Sequence, residues 1–155
     1  MTREAFIKNI LCPIDFSEYS RATLGEALEL AEKLGAEIII LHVVNERLYE
    51  DVKRLGGRMT AFNGAIDEAI SAAEDERAER LKKLLSEVNA GRAAHRSRIA
   101  VGIPWESILK TADEEDVDLI VMGARGRGSL ARQLRFGTTA EKVFRRAGRR
   151  VMFIR

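Results

Sequence analysis

Glycines 123, 126, 128 and 137 and the hydroxyls of Thr138 and Thr139 gather in one stretch, GARGRGSLARQLRFGTT, at residues 123–139. Glycine permits positive φ and close approach of main chain to a ligand, and successive N–H groups ahead of a helix converge on an anion. The stretch has the outline of a phosphate cradle, and its composition also suits a flexible loop or a nucleic-acid tail. Gly123 to Ser129 has the glycine spacing of a P-loop but puts Ser129 where the lysine belongs, which argues against a Walker-type NTPase. The dinucleotide fingerprint G-x-G-x-x-G is missing, which argues against nicotinamide and flavin chemistry.

Charge favours an anionic partner. From Gly123 to Arg155 nine arginines and Lys142 face a single acid, Glu141, for +9, whereas the other 122 residues carry 16 bases and 23 acids, for −7. Such a segment attracts phosphate, and it equally suits a solvated basic face on an acidic body. Arg125, Arg127, Arg132 and Arg135 have no direction fixed by pattern; Arg125, inside the glycine run, is the one assigned to the cradle. Nucleic-acid binding is disfavoured, because the only aromatics in this end are Phe136, Phe144 and Phe153, too few to interleave with the basic residues. His42 reads as a packed histidine and His95 as an exposed one; there is no Cys/His cluster for a metal and no paired carboxylate for acid–base work. No catalytic residue is assigned, and any hydrolysis is expected to be slow.

These residues need a scaffold. A chain of 155 residues, 46% hydrophobic and 32% charged, fits one domain over residues 1–155. Charges at Arg3, Glu4 and Lys8, and the lack of a run of about 18 apolar residues, point to a soluble, cytoplasmic protein. Cys12, the only cysteine, excludes an intrachain disulfide and reads as a buried strand thiol.

Near-continuous β-branched runs IKNILCPI and AEIIILHVV read as strands buried on both faces of a parallel sheet. Between them Leu24, Ala27, Leu28, Ala31 and Leu34 recur at helical spacing, with Ser17 as N-cap and Gly35 as C-cap. Residues 45–64 lack a period and read as a long excursion or lid. A long helix follows, with Ile66, Ile70, Ala73, Leu81, Leu84, Leu85 and Val88 as its apolar stripe and EDERAERLKK as its solvent side. HRSRIAVG alternates more and reads as an edge strand; GIPWESILKTADEED is a helix with Pro104 near its start and Trp105 packed over it. VDLIVMGA is a fourth strand, TTAEKVFRRAG a helix capped by Thr138 or Thr139, and RRVMFIR a fifth strand.

Strands alternating with helices imply an α/β, doubly wound, Rossmann-like open parallel sheet of five strands with helices on both faces. Ligands of such sheets bind beyond the carboxyl ends of the strands where strand order reverses. If strands 1 and 4 flank that point, Pro13, Ile14 and Asp15 face MGARG at 122–126. Asp15 is then either a ligand-binding group or simply a cap of the first helix.

CPIDFSEYS, LHVV, VGIPWESIL and DLIVMGARGRGSL with FGTTAEKVFRRAGRRVMFIR, in this order, resemble the universal stress protein family over essentially the whole chain. The resemblance implies strand order 3-2-1-4-5, a homodimer, which the apolar C-terminal strand suits, and, in one branch, bound ATP or AMP with Mg²⁺ held by the phosphates. It implies that Pro13, Ile14, Asp15 and Val43 contact adenosine, that Met122, Gly123 and Gly126 lie under ribose and phosphates, and that Gly137, Thr138 and Thr139 hold the phosphate chain. One departure stands out: ten residues, RGSLARQLRF, separate Gly126 from Gly137, where the family pattern has nine. A residue turns an α-helix by about 100°, so the extra one is expected in a bulge at RF, with SLARQL forming a short turn on Leu130 and Leu134. The competing expectation is an interaction protein of the same fold that binds no nucleotide.

Overall fold

The β-branched runs become the inner strands of a sheet, buried from both sides, while the two edge strands are only partly covered. In the computed structural model, which describes residues 6–45, 47, 50, 63–88, 91, 93–126 and 136–155, the strands are β1 (Asn9–Ile14), β2 (Glu37–Asn45), β3 (His95–Gly102), β4 (Leu119–Gly123) and β5 (Arg150–Ile154). All pairings are parallel, in the order β3-β2-β1-β4-β5. Four helices among the described residues connect them: α1 (Ser20–Leu34), α2 (Asn63–Glu87), α3 (Pro104–Glu114) and α4 (Thr138–Arg146). The expected α/β architecture and strand order are what the chain adopts.

Period-two alternation sorts the strand side chains between the layers. Ile10, Cys12, Ile14, Ile38, Ile40 and Val121 pack with Leu24, Leu28 and Ala31 of α1 and Leu81 of α2. Their neighbours Leu11, Ile39, Leu41, Ile120 and Met122 pack on the other face with Ile108 and Ala112 of α3 and Ala140 and Val143 of α4. Each fully buried Leu, Ile or Val side chain stabilises the fold by about 1.5–3 kcal/mol. Leu84, Leu85 and Val88 complete the α2 stripe, whereas the side chains of Ile66, Ile70 and Ala73 and most of the excursion expected over 45–64 lie outside the described residues; α2 already begins at Asn63. Burial pushes the Cys12 thiol up to about 12, so it is an inert core group. No described helix is long and apolar enough to cross a membrane.

The expected caps divide. Gly35 adopts φ 64° and lets the Ala36 N–H reach the Ala31 carbonyl, closing α1 as a left-handed C-cap. Ser17 is not the N-cap: α1 begins at Ser20 after Tyr19, and Ser17 offers its carbonyl to the Ser20 N–H at 3.1 Å. The preceding carboxylate of Asp15 already binds the Ser17 N–H, which winds the chain one turn further before the helix starts. Nor do Thr138 and Thr139 cap α4; Gly137 is its extended N-cap residue, and both threonines lie in the first turn.

The edges carry different chemistry. On the β3 edge Arg96 pairs with Glu37 and Glu115, and Arg98 with Glu114 and Glu115, which ties the end of α3 to the strand. At the end of the sheet where β1 and β4 begin, Asp118 accepts the N–H groups of Lys8 at 2.8 Å and Asn9 at 3.0 Å. Those two backbone donors hold its carboxyl below the usual carboxylate range. A carboxylate lowered in the folded state contributes stability that is present above its ordinary value and is lost as pH falls from there through the lower folded-state value. Asp118→Asn should therefore lower stability at pH 7 by about 1 kcal/mol, a charge-assisted contribution reduced by partial exposure. Denaturant melts of both proteins should converge as pH drops towards 3; a gap that stays constant from pH 7 to pH 3 would contradict the assignment.

Candidate functional site

The sheet puts β1 between β2 and β4, and the chain changes face after β3, so the strand order reverses between β1 and β4. Beyond their carboxyl ends opens a cavity of about 530 Å³, a size suited to a small-molecule ligand. Pro13, Ile14, Asp15, Val43, Met122, Gly123, Arg125, Gly126, Gly137, Thr138 and Thr139 all line it. The fold thus brings the eleven residues assigned to the site to one wall system, drawn from three strands, two loops and a helix start, whereas Arg127, Gly128, Arg132 and Arg135 lie outside the described residues.

A backbone bridge stands behind the cavity wall at Gly137. Ala124 donates its N–H to the Ile154 carbonyl at 2.8 Å and accepts the Gly137 N–H at 2.7 Å, so the loop after β4 is tied both to β5 and to the start of α4. As a result Gly137 lies against Gly126 despite the ten-residue separation: a Cβ built on Gly137 would be 3.6 Å from the Gly126 nitrogen. The extra residue has not moved the glycines apart, although SLARQL and Arg135, where the bulge is expected, lie outside the described residues. The Glu141 N–H closes the first α4 turn on the Gly137 carbonyl at 2.9 Å. Thr138, Thr139 and Ala140 supply the remaining first-turn N–H groups, at the positive end of the helix dipole.

Asp15 closes the other side. Its Oδ1 accepts the Ser17 N–H at 2.9 Å and the Ser20 hydroxyl at 3.1 Å, and its Oδ2 would lie 2.7 Å from a Cβ on Gly126. The carboxylate therefore fixes the turn ahead of α1 without capping the helix, whose N-cap residue is Tyr19, and at the same time it reaches across to the β4 loop. Only glycine at 126 leaves room for it. Gly123 is similarly crowded, its Cβ position lying 3.3 Å from the Thr23 hydroxyl.

Several lining residues carry no sequence signal for this role. His42 and Asn45 end β2, Ser20 and Thr23 start α1, Pro104 and Ile108 belong to α3, and Glu76, Arg77 and Arg80 come from α2. The last three correct the assignment of EDERAERLKK to solvent alone. A polar helix face gives no indication of what stands beyond it, and α2 turns this part towards the crevice. His42 is buried, with Nδ1 3.0 Å from the Ile14 carbonyl, and so is a packing group.

The basic end is partly consumed by structure. Arg149 donates to the Ala112 and Val117 carbonyls at 2.6 and 2.7 Å and pairs with Asp113, capping the end of α3. Arg146 and Lys142 lie over the Trp105 ring, 4.7 and 5.8 Å from its centroid, and Arg145 pairs with Glu141. Arg125 is the arginine of this end that lines the cavity among the described residues, and no described cluster of three His, Cys, Asp or Glu side chains forms a metal site.

Comparison with known proteins agrees with the fold. The family model described as the universal stress protein family matches residues 7–155. A universal stress protein of Methanocaldococcus jannaschii is 29% identical, with the alignment covering 96% of this chain and 94% of that one. The solved structure of universal stress protein UspA from Lactobacillus plantarum matches with a TM-score of 0.78 at 28% identity, over 96% of this chain and 98% of the other. That of a universal stress protein from Archaeoglobus fulgidus, in complex with dAMP, matches with a TM-score of 0.64 at 25% identity, over 97% and 99%.

The contact between Asp15 and Gly126 can be tested without a ligand. Gly126→Ala should destabilise the protein by about 1–3 kcal/mol, because its methyl group overlaps a short, doubly bonded carboxylate. Gly137→Ala should be nearly neutral, since its Cβ meets nothing closer than 3.6 Å. In Gly126→Ala, adding Asp15→Ala should recover part of the lost melting temperature; strictly additive losses would show that the two residues do not meet.

Proposed function

The chain belongs to the universal stress protein family, and on that premise we propose that it is a regulatory module that binds an adenine nucleotide, ATP or AMP, in the cavity between β1 and β4. The observation that carries the reading is the approach of Gly137 to Gly126, which sets both glycines and the first turn of α4 together on the cavity wall. The dAMP complex of the Archaeoglobus fulgidus protein supports the choice of adenine nucleotide.

On this reading Val43, Pro13 and Ile14 give the nucleoside an apolar wall, and Asp15 Oδ2 accepts from a ribose or base donor. Met122 and Gly123 lie beneath the sugar. The N–H groups of Gly126, Thr138 and Thr139, the threonine hydroxyls and Arg125 hold the phosphates, each charge-assisted hydrogen bond contributing about 1.5–3 kcal/mol. Mg²⁺ is carried by the phosphates themselves. The role is binding and signalling, with no residue assigned to bond cleavage.

The same reading gives β5 a partner. This edge strand leaves one row of N–H and C=O groups unpaired, and Met152 and Phe144 beside it are 39% and 65% exposed. A second copy related by a two-fold axis would pair that edge and cover both side chains.

Titration calorimetry with ATP–Mg²⁺, AMP and adenosine tests the site. Asp15→Ala should weaken all three by tenfold or more, the equivalent of about 1.4 kcal/mol. Gly137→Val, which brings branched carbons to the phosphate path, should weaken ATP far more than adenosine. Equal affinity of the wild type for adenosine and ATP would remove the phosphate end from the proposal, and binding of neither would favour an interaction protein of the same fold. For the assembly, deletion of residues 151–155 should yield monomer or insoluble protein; a truncated protein that remains a soluble dimer by light scattering would exclude pairing through β5.

A further inference from the structure

Phe16 adopts φ 58°, a left-handed backbone conformation that a bulky aromatic residue seldom takes. Such a conformation persists only where the surroundings impose it, and it gathers at functional sites. The surroundings here are specific. The His42 ring lies 4.6 Å from the Phe16 ring, centroid to centroid, and the Arg80 guanidinium carbon lies 4.7 Å from the Phe16 centroid. His42 is itself buried and held at the Ile14 carbonyl, so the ring is gripped between the end of β2 and α2. The strained backbone joins Asp15, whose Oδ2 approaches Gly126, to Ser17, whose N–H binds Asp15 Oδ1 at 2.9 Å.

We propose that Phe16 is a positioning residue, whose ring, clamped between His42 and Arg80, holds the turn at residues 15–17 in the conformation that aims the Asp15 carboxylate at the cavity. The ligand arm of this inference rests on the nucleotide reading above; the positioning itself does not. It explains why an aromatic residue occupies a backbone conformation that glycine would adopt without strain. It also gives Arg80 of α2, which lines the cavity, an indirect part in setting ligand geometry through the ring it covers.

Two variants separate the ring from the backbone. Phe16→Gly suits the left-handed conformation but has no ring; Phe16→Leu keeps apolar bulk but no flat face for His42 and Arg80. In the ligand-free protein the Ser17 amide should exchange with solvent on the order of tenfold faster in both variants, while the Leu11 and Cys12 amides within β1 keep their wild-type rates. Both variants should bind ATP–Mg²⁺ and adenosine about tenfold more weakly, and neither change should weaken binding further once Asp15 is alanine. A wild-type Ser17 exchange rate in Phe16→Gly, or losses that add in full to that of Asp15→Ala, would overturn the positioning role. If the wild type binds neither ligand, the nucleotide reading fails by itself, and the exchange rates still decide the inference.

Discussion

Ala124 makes two backbone hydrogen bonds on which the geometry of the crevice depends. Its N–H binds the Ile154 carbonyl and its carbonyl takes the Gly137 N–H, so the end of β5, the loop after β4 and the start of α4 are tied to one residue. Buried backbone groups must find partners, and here the requirement is met by drawing Gly137 back onto the sheet. The consequence is that the chain between Gly126 and Gly137 can lengthen without displacing either glycine. The α4 dipole is therefore aimed by the sheet rather than by the loop that leads into it.

Asp15 supplies the matching constraint from β1. A carboxylate that satisfied only Ser17 and Ser20 would be an ordinary turn-forming residue. Its second oxygen, turned to the α-carbon of Gly126, makes the two loops a fitted pair and leaves no room for a side chain at 126. Around them, cations come from separate elements: Arg125 from the β4 loop and Arg77 and Arg80 from α2. The net charge of the segment from Gly123 to Arg155 overstates its anion-binding capacity, because Arg149, Arg145, Arg146 and Lys142 are engaged with α3, Glu141 and Trp105.

Much of this was legible in the chain because parallel, doubly covered strands leave a strong signature. ILC and IIIL are apolar on consecutive residues, which only burial on both faces explains, and HRSRIAVG alternates because it lies at an edge with Arg96 and Arg98 turned to acids. Strand order, by contrast, came from family resemblance, since periodicity carries no information on which strands are neighbours. The N-caps differ from the expectation for a local reason, whereas the Gly35 C-cap holds: Ser17 and Thr138 have the right side chains, but the turn made by Asp15 and the bridge at Ala124 shift each helix start. Arg80 and Arg77 escaped because their helix is polar on the side that meets the crevice, and a polar face reads alike whether it borders solvent or a ligand.

The central claim is that the glycine pair beneath α4 receives the phosphates of an adenine nucleotide. Titrating ¹⁵N-labelled protein with ATP–Mg²⁺ and then adenosine, while following amide shifts, addresses it directly. The account predicts that ATP moves the Gly126, Gly137, Thr138 and Thr139 amides together with Asp15 and Val43, and that adenosine moves Asp15 and Val43 while leaving the α4 start largely in place. Movement of none of these amides at millimolar ATP, or shifts confined to the surface arginines Arg145 and Arg150, would contradict it.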